Sequence, residues 1–190
     1  MKILKTINDP MLIELIRLGK IGIIPTDTVY GIVCSATNKD AVRKLYQTKR
    51  PNENKPGTVI ASNIKQLISL GIDSNFLLSN IEYFNKGITI ISPLTIRKAY
   101  LNFDNDYIAV RLIVSGELKS ILDATGPLLT TSANLPEAKT IGNIDEAQSI
   151  FKNNVDFYVD GGELKNRLPS TIIEINNTQI NIIRRGSVTL

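Results

Sequence analysis

Five polar clusters close or open apolar runs in this chain, and their residue types suit the binding of small charged ligands. Pro25-Thr26-Asp27-Thr28-Val29-Tyr30-Gly31 places two threonines, an aspartate and a tyrosine directly after a short strand candidate. Ligands sit at strand ends in open α/β sheets, although a hydrogen-bonded turn explains the same string. Lys49-Arg50-Pro51-Asn52-Glu53-Asn54-Lys55-Pro56-Gly57-Thr58 gathers three cations in a proline-broken segment. Arginine offers a rigid donor fork and lysine a point charge, a combination suited to polyphosphate; a solvated basic loop is the rival reading. Thr130-Thr131-Ser132-Ala133-Asn134 offers hydroxyls and an amide for a zwitterion or a ribose. Arg111 ends the run Ile108-Ala109-Val110. A buried, unpaired arginine is costly, so it either faces a cleft or forms a structural ion pair. Ser170-Thr171 opens one late run and Arg184-Arg185-Gly186 closes the next. If those runs pair as a hairpin, the two sites share an edge.

Composition removes other chemistries. The 190 residues include no histidine and one cysteine. Ser-His-Asp and Cys-His nucleophiles, histidine zinc sites and Cys-based zinc clusters are therefore excluded, as is an intramolecular disulfide. No metal-ligating set is assigned. Cys34 lies in an apolar run and reads as a packing residue. The formal net charge of +4 fits an anionic ligand or weak contact with RNA. Aromatic residues make up 6% of the chain and tryptophan is missing, which disfavours a base-stacking platform. No phosphate-loop GxxxxGK[ST] or dinucleotide GxGxxG string occurs. No run of about 18 apolar residues suggests a membrane span. Met1-Lys2-Ile3-Leu4-Lys5 lacks the pattern of a signal peptide, so a cytoplasmic protein is expected.

The elements that must position these clusters follow from periodicity and punctuation. Asp9 caps, Pro10 starts and Gly19 stops a first helix. Strands are expected over residues 21–25, 30–36, 57–62, 87–92, 107–112 and 128–131. Helices are expected over 38–48, 63–70, 74–84, 115–125 and 144–152, the last capped by Asn143. The final third reads as strands 155–159, 170–175 and 179–184, with Asn176-Asn177 at a hairpin turn. Nothing resembling a linker or repeat interrupts the chain, so residues 1–190 are expected to form one α/β domain. Its sheet is expected to be twisted, mixed parallel and antiparallel, with flanking helices.

Taken in order, the clusters resemble the YrdC/TsaC family of threonylcarbamoyl-AMP synthases. The family strings P-T-[DE]-T-V-Y-G-L, K-x-R-P, A-V-R-x-P, S-A-N, S-T-[IV]-[IV] and [IL]-R-x-G are matched by Pro25–Ile32, Thr48–Pro51, Ala109–Ile113, Ser132–Asn134, Ser170–Ile173 and Ile183–Gly186. The first lysine of K-x-R is Thr48 here, with Lys49 beside it. The family's W-P-G-P-x-T string is present only as Tyr83-Phe84-Asn85-Lys86-Gly87-Ile88-Thr89. The resemblance implies a sheet with a concave positive face and a synthesis of threonylcarbamoyl-AMP and pyrophosphate from L-threonine, bicarbonate and ATP, with Mg²⁺ accompanying the nucleotide. It implies Arg50 and Lys49 in catalysis, Thr26, Arg111, Ser132 and Ser170 on threonine, and Arg50, Lys55, Asn134 and Arg184 on ATP. The partners it implies are tRNA and a threonylcarbamoyl transferase complex. The alternative is a non-catalytic paralogue of the family that binds RNA or a nucleotide; a third reading is an α/β domain with an unrelated ligand.

Overall fold

The structure, a computed structural model, describes residues 1–49, 55–134, 138–176 and 179–190. In chain order its elements are β1 (Lys2–Leu4), α1 (Pro10–Arg17), β2 (Gly22–Pro25), β3 (Tyr30–Ser35), α2 (Lys39–Lys49), β4 (Thr58–Ala61), α3 (Ile64–Ser69), α4 (Ser74–Ser79), α5 (Ile81–Asn85), β5 (Thr89–Pro93), α6 (Ala99–Asn102), β6 (Tyr107–Leu112), α7 (Glu117–Thr125), β7 (Leu128–Ser132), α8 (Ile144–Phe151), β8 (Phe157–Val159), β9 (Ile172–Asn176) and β10 (Gln179–Arg184). The expected punctuation operates at the helix ends. The Asp9 carboxylate accepts from Met11 N at 2.9 Å, and Pro10 begins α1. Gly19 follows it at φ +72°, a conformation that favours glycine. Asn38 accepts from the N–H groups of Asp40 and Ala41, and Asn143 from that of Glu146.

Among the described residues ten strands join one sheet in the order β1-β8-β2-β3-β7-β4-β6-β5-β9-β10. β4 runs parallel to β6 and antiparallel to β7, while β5 runs antiparallel to β6 and parallel to β9. The mixed sheet with flanking helices agrees with the sequence reading. Strand alternation then sorts side chains to two faces. Ile108, Val110 and Leu112 of β6 join Val59, Ala61, Leu129, Ile32 and Ile90 in the larger core, where Leu45, Leu67, Phe84 and Ala147 bring in α2, α3, α5 and α8. Cys34 is buried there as well, and burial pushes its thiol far above the ordinary range, as suits a packing residue.

The other face is covered at one end by α1 and α7, whose Leu12, Ile16, Ile121 and Leu122 pack with Ile24, Val33, Ile60 and Leu128. Toward the start of β4 and the end of β7 this face carries Thr58, Ala109, Thr130 and Ser132 instead of large aliphatic residues. Register places Thr58 beside both Ala109 and Thr130, and Ile60 beside Arg111. The change from aliphatic to hydroxyl and cationic residues marks where the core stops and a cavity begins.

One local expectation needs correction, and two elements went unread. Residues 74–84 form two helices, α4 and α5, because Asn80 turns its side-chain amide onto the Phe76 carbonyl at 2.8 Å and leaves helical geometry. β1 and α6 carried no usable periodicity: β1 is three residues long and exists through pairing with β8, more than 150 residues away in sequence. Among the described residues no helix is long and apolar enough to cross a membrane.

Candidate active site

A cavity of about 340 Å³ opens on the hydroxyl-rich part of the sheet face. Six of the residues singled out from sequence line it: Thr26, Lys55, Arg111, Ser132, Ser170 and Arg184. The expectation of ligands at strand ends is met only in part, since the cavity spreads across β4, β6 and β7 as well as meeting the turn after β2. Lys49 and Asn134 stand behind Ser132. Lys49, almost wholly buried at the end of α2, donates from Nζ to Asn134 Oδ1 at 3.1 Å. Ser132 Oγ donates to the same oxygen at 2.6 Å, and Asn134 Nδ2 donates to the Ala138 carbonyl at 2.6 Å. Asn134 thus ties α2, β7 and Ala138 together, and Ser132 lines the cavity with its proton already committed to Asn134. Arg50 lies outside the described residues.

The Thr26 segment forms the hydrogen-bonded turn weighed from sequence, and it lines the cavity too. Thr26 Oγ1 donates to the Val29 carbonyl at 2.6 Å and accepts from the N–H groups of Thr28 and Val29 at 3.2 and 3.3 Å. Gly31 is required by close approach: a Cβ there would lie 2.6 Å from Thr130 Oγ1 and 3.2 Å from Thr26 Cγ2. Tyr30 serves the frame. Its hydroxyl donates to Gly162 O at 2.8 Å and accepts from Gly161 N at 2.9 Å, and burial raises its pKa.

Both readings offered for Arg111 apply. Its Nε donates to Asp27 Oδ2 at 3.1 Å and its Nη2 reaches the same oxygen, which makes an ion pair. Nη1 is buried and has no hydrogen-bond partner among the described residues, although the residue lines the cavity. An unpartnered buried guanidinium nitrogen calls for an acceptor, and a carboxylate is the natural one. Asp27 was quoted within its cluster but given no role. The counter-charge lies 84 residues away in sequence, so no local pattern reveals the pairing.

The last two strands pair antiparallel, as the expected hairpin requires, which brings Ser170 and Arg184 together; Asn177 of its expected turn lies outside the described residues. Arg184 donates from Nε and Nη2 to the Ser170 carbonyl at 3.0 and 2.8 Å, and from Nη2 to Ser170 Oγ at 3.1 Å. Desolvation, followed by the nearby Arg111 charge, lowers the Arg184 pKa. Lys55, Arg111 and Arg184 face Asp27 as the charged lining residues, which leaves an excess of positive charge for an anionic ligand. Among the described residues there is no group of three or more His, Cys, Asp or Glu that can hold a metal ion. Asp27 is occupied by Arg111, so these residues do not fit a protein-built Mg²⁺ site.

A family model for Sua5, YciO and YrdC proteins, described as "Telomere recombination", matches residues 14–186. A Methanocaldococcus jannaschii protein provisionally named a threonylcarbamoyl-AMP synthase is 33% identical over 177 residues, 90% of this chain and 82% of that one. The threonylcarbamoyl-AMP synthase of Pseudoalteromonas translucida is 31% identical over 168 residues, 85% of this chain and 90% of that one. Among solved structures, P. abyssi Sua5 complexed with L-threonine superposes with a TM-score of 0.85 at 20% identity, covering 98% of this chain. The chain spans 58% of the length of that Sua5 structure.

Proposed function

The chain belongs to the Sua5/YciO/YrdC family, and from that premise we propose that it makes threonylcarbamoyl-AMP and pyrophosphate from L-threonine, bicarbonate and ATP, as a nucleotidyltransferase. Relatives bearing this activity in their names match at about 30% identity over most of the chain, and a structural neighbour has been crystallised with L-threonine. The observation that carries the reading is one cavity holding two kinds of donor. Arg111, whose Nη1 has no partner among the described residues, and Ser170 suit the carboxylate of an amino acid. Lys55 and Arg184 add the cationic charge that a triphosphate needs.

In this reading the threonine amine and bicarbonate give a carbamate with loss of water. A carbamate oxygen attacks the α-phosphorus of ATP, and the bond to the departing pyrophosphate breaks. The carbamate is already an anion, so the step asks for positioning and charge neutralisation and not for an imidazole proton shuttle. Thr26, Arg111, Ser132 and Ser170 serve the amino acid, Arg50, Lys55, Asn134 and Arg184 the nucleotide, and Arg50 and Lys49 the catalytic step. Mg²⁺ belongs to the substrate here, arriving on the triphosphate. The product is a reactive mixed anhydride, so a transferase is its consumer; tRNA as the acceptor and the cytoplasm as the place of action follow from the names of the relatives.

The test is incubation with ATP, bicarbonate, Mg²⁺ and labelled threonine. Threonylcarbamoyl-AMP and pyrophosphate should form in equal amounts. No product above an Arg50→Ala control overturns the proposal.

A further inference from the structure

We propose that Thr89 is a positioning residue for the amino-acid end of the cavity: it holds the Ser170 hydroxyl as a hydrogen-bond donor directed at the substrate. The inference rests on the threonine-binding reading above. Thr89 begins β5 and is completely buried. It pairs with Ile172 across β9, and its neighbour Ile90 pairs with Val110, next to Arg111, across β6. It therefore stands between β6, which carries Arg111, and β9, which begins two residues after Ser170.

Hydrogen-bond accounting makes the case. A serine hydroxyl has one proton and two lone pairs. Thr89 Oγ1 donates to Ser170 Oγ at 2.8 Å. Arg184 Nη2 donates to the same oxygen at 3.1 Å, and a guanidinium can only donate. Both lone pairs are taken. Among the described residues the Ser170 proton has no acceptor, and Ser170 lines the cavity. Ser170 consequently presents a donor and cannot accept from a ligand. Arg111 lines the cavity as well, and a cation beside an obligate hydroxyl donor suits the two oxygens of a carboxylate. Thr89 is the group that removes the second way for Ser170 to point.

The experiment compares Thr89→Val with Thr89→Ser in the adenylate-forming assay. Valine keeps the volume and loses the donor, so the KM for threonine should rise about tenfold, the scale of one hydrogen bond to a charged substrate, while the KM for ATP stays put. Serine keeps the donor and loses a buried methyl group, so it should restore the threonine KM despite a lower melting temperature. A merely structural role moves both KM values together and leaves Thr89→Ser unrescued. That outcome, or a Thr89→Val enzyme with wild-type threonine KM, overturns the inference. Should Thr89→Val fail to fold, Thr89→Cys keeps the volume with only a weak donor, and an unchanged threonine KM there is equally fatal. If the wild type makes no product, the functional reading falls. Calorimetric titration of threonine into wild type and Thr89→Val then decides the inference alone: tighter binding to wild type supports it, and equal binding or none overturns it.

Discussion

Removing Asp27 should cost the fold more than removing Arg111, although the two form one ion pair. The Arg111 side chain is 8% exposed and that of Asp27 is 34% exposed. Asp27→Ala leaves a buried guanidinium that already has one nitrogen unpartnered. Breaking a fully buried pair in this way costs about 3–5 kcal/mol. Water reaches the Asp27 side and reduces that to about 2–3 kcal/mol. Arg111→Met fills similar space with apolar atoms and leaves Asp27 where solvent can hydrate it, so about 1 kcal/mol or less is expected. The double variant should match Arg111→Met, because no stranded cation remains. Urea unfolding reads these differences as shifts of midpoint at constant slope. Heating should show about 2–4 °C for each kcal/mol at this chain length. Equal losses for the two single variants, or a double variant less stable than Asp27→Ala, would refute the reasoning.

Two further outcomes follow from the same geometry. A Cβ on Gly186 would lie 2.1 Å from the Pro169 carbonyl oxygen and 2.5 Å from the Ser170 carbonyl carbon, so Gly186→Ala should push Arg184 off Ser170 and cut product formation by about tenfold or more, measured at saturating substrates. Partial burial acts to raise the Asp156 pKa, but the Lys44 ion pair and the Ile21 N–H, donating at 2.9 Å, outweigh it and hold the group below its ordinary value. The stability it contributes is complete above the unfolded carboxylate value of about 4 and is lost as pH falls through the lower folded value. Urea midpoints should therefore fall less steeply from about pH 5 to about pH 3 in Asp156→Asn than in wild type.

Much of the frame was legible because its signals are local. Asp9-Pro10 and Asn143 act as caps where expected, and β6 occupies the residues read for it. The polar clusters could be read because a hydroxyl or an arginine in an otherwise apolar strand stands out, and six of the residues chosen this way share one cavity. The pairings inside the cavity were not legible. Asp27 meets Arg111 across 84 residues and Thr89 meets Ser170 across 81, distances at which a single sequence carries no periodic trace. Thr26 and Asn134 show a different limit: residue type identified them, but only geometry reveals that their polar atoms also hold a turn and a loop together. β1 is legible only through its partner β8.

The most direct test of the whole account is a crystal structure with threonine and a non-hydrolysable ATP analogue. The account predicts both ligands in the one cavity, the amino-acid carboxylate on Arg111 Nη1 and Ser170 Oγ, and the phosphates on Arg184 and Lys55. Threonine bound elsewhere, or phosphates seated on Arg111 with Asp27 displaced, would contradict it.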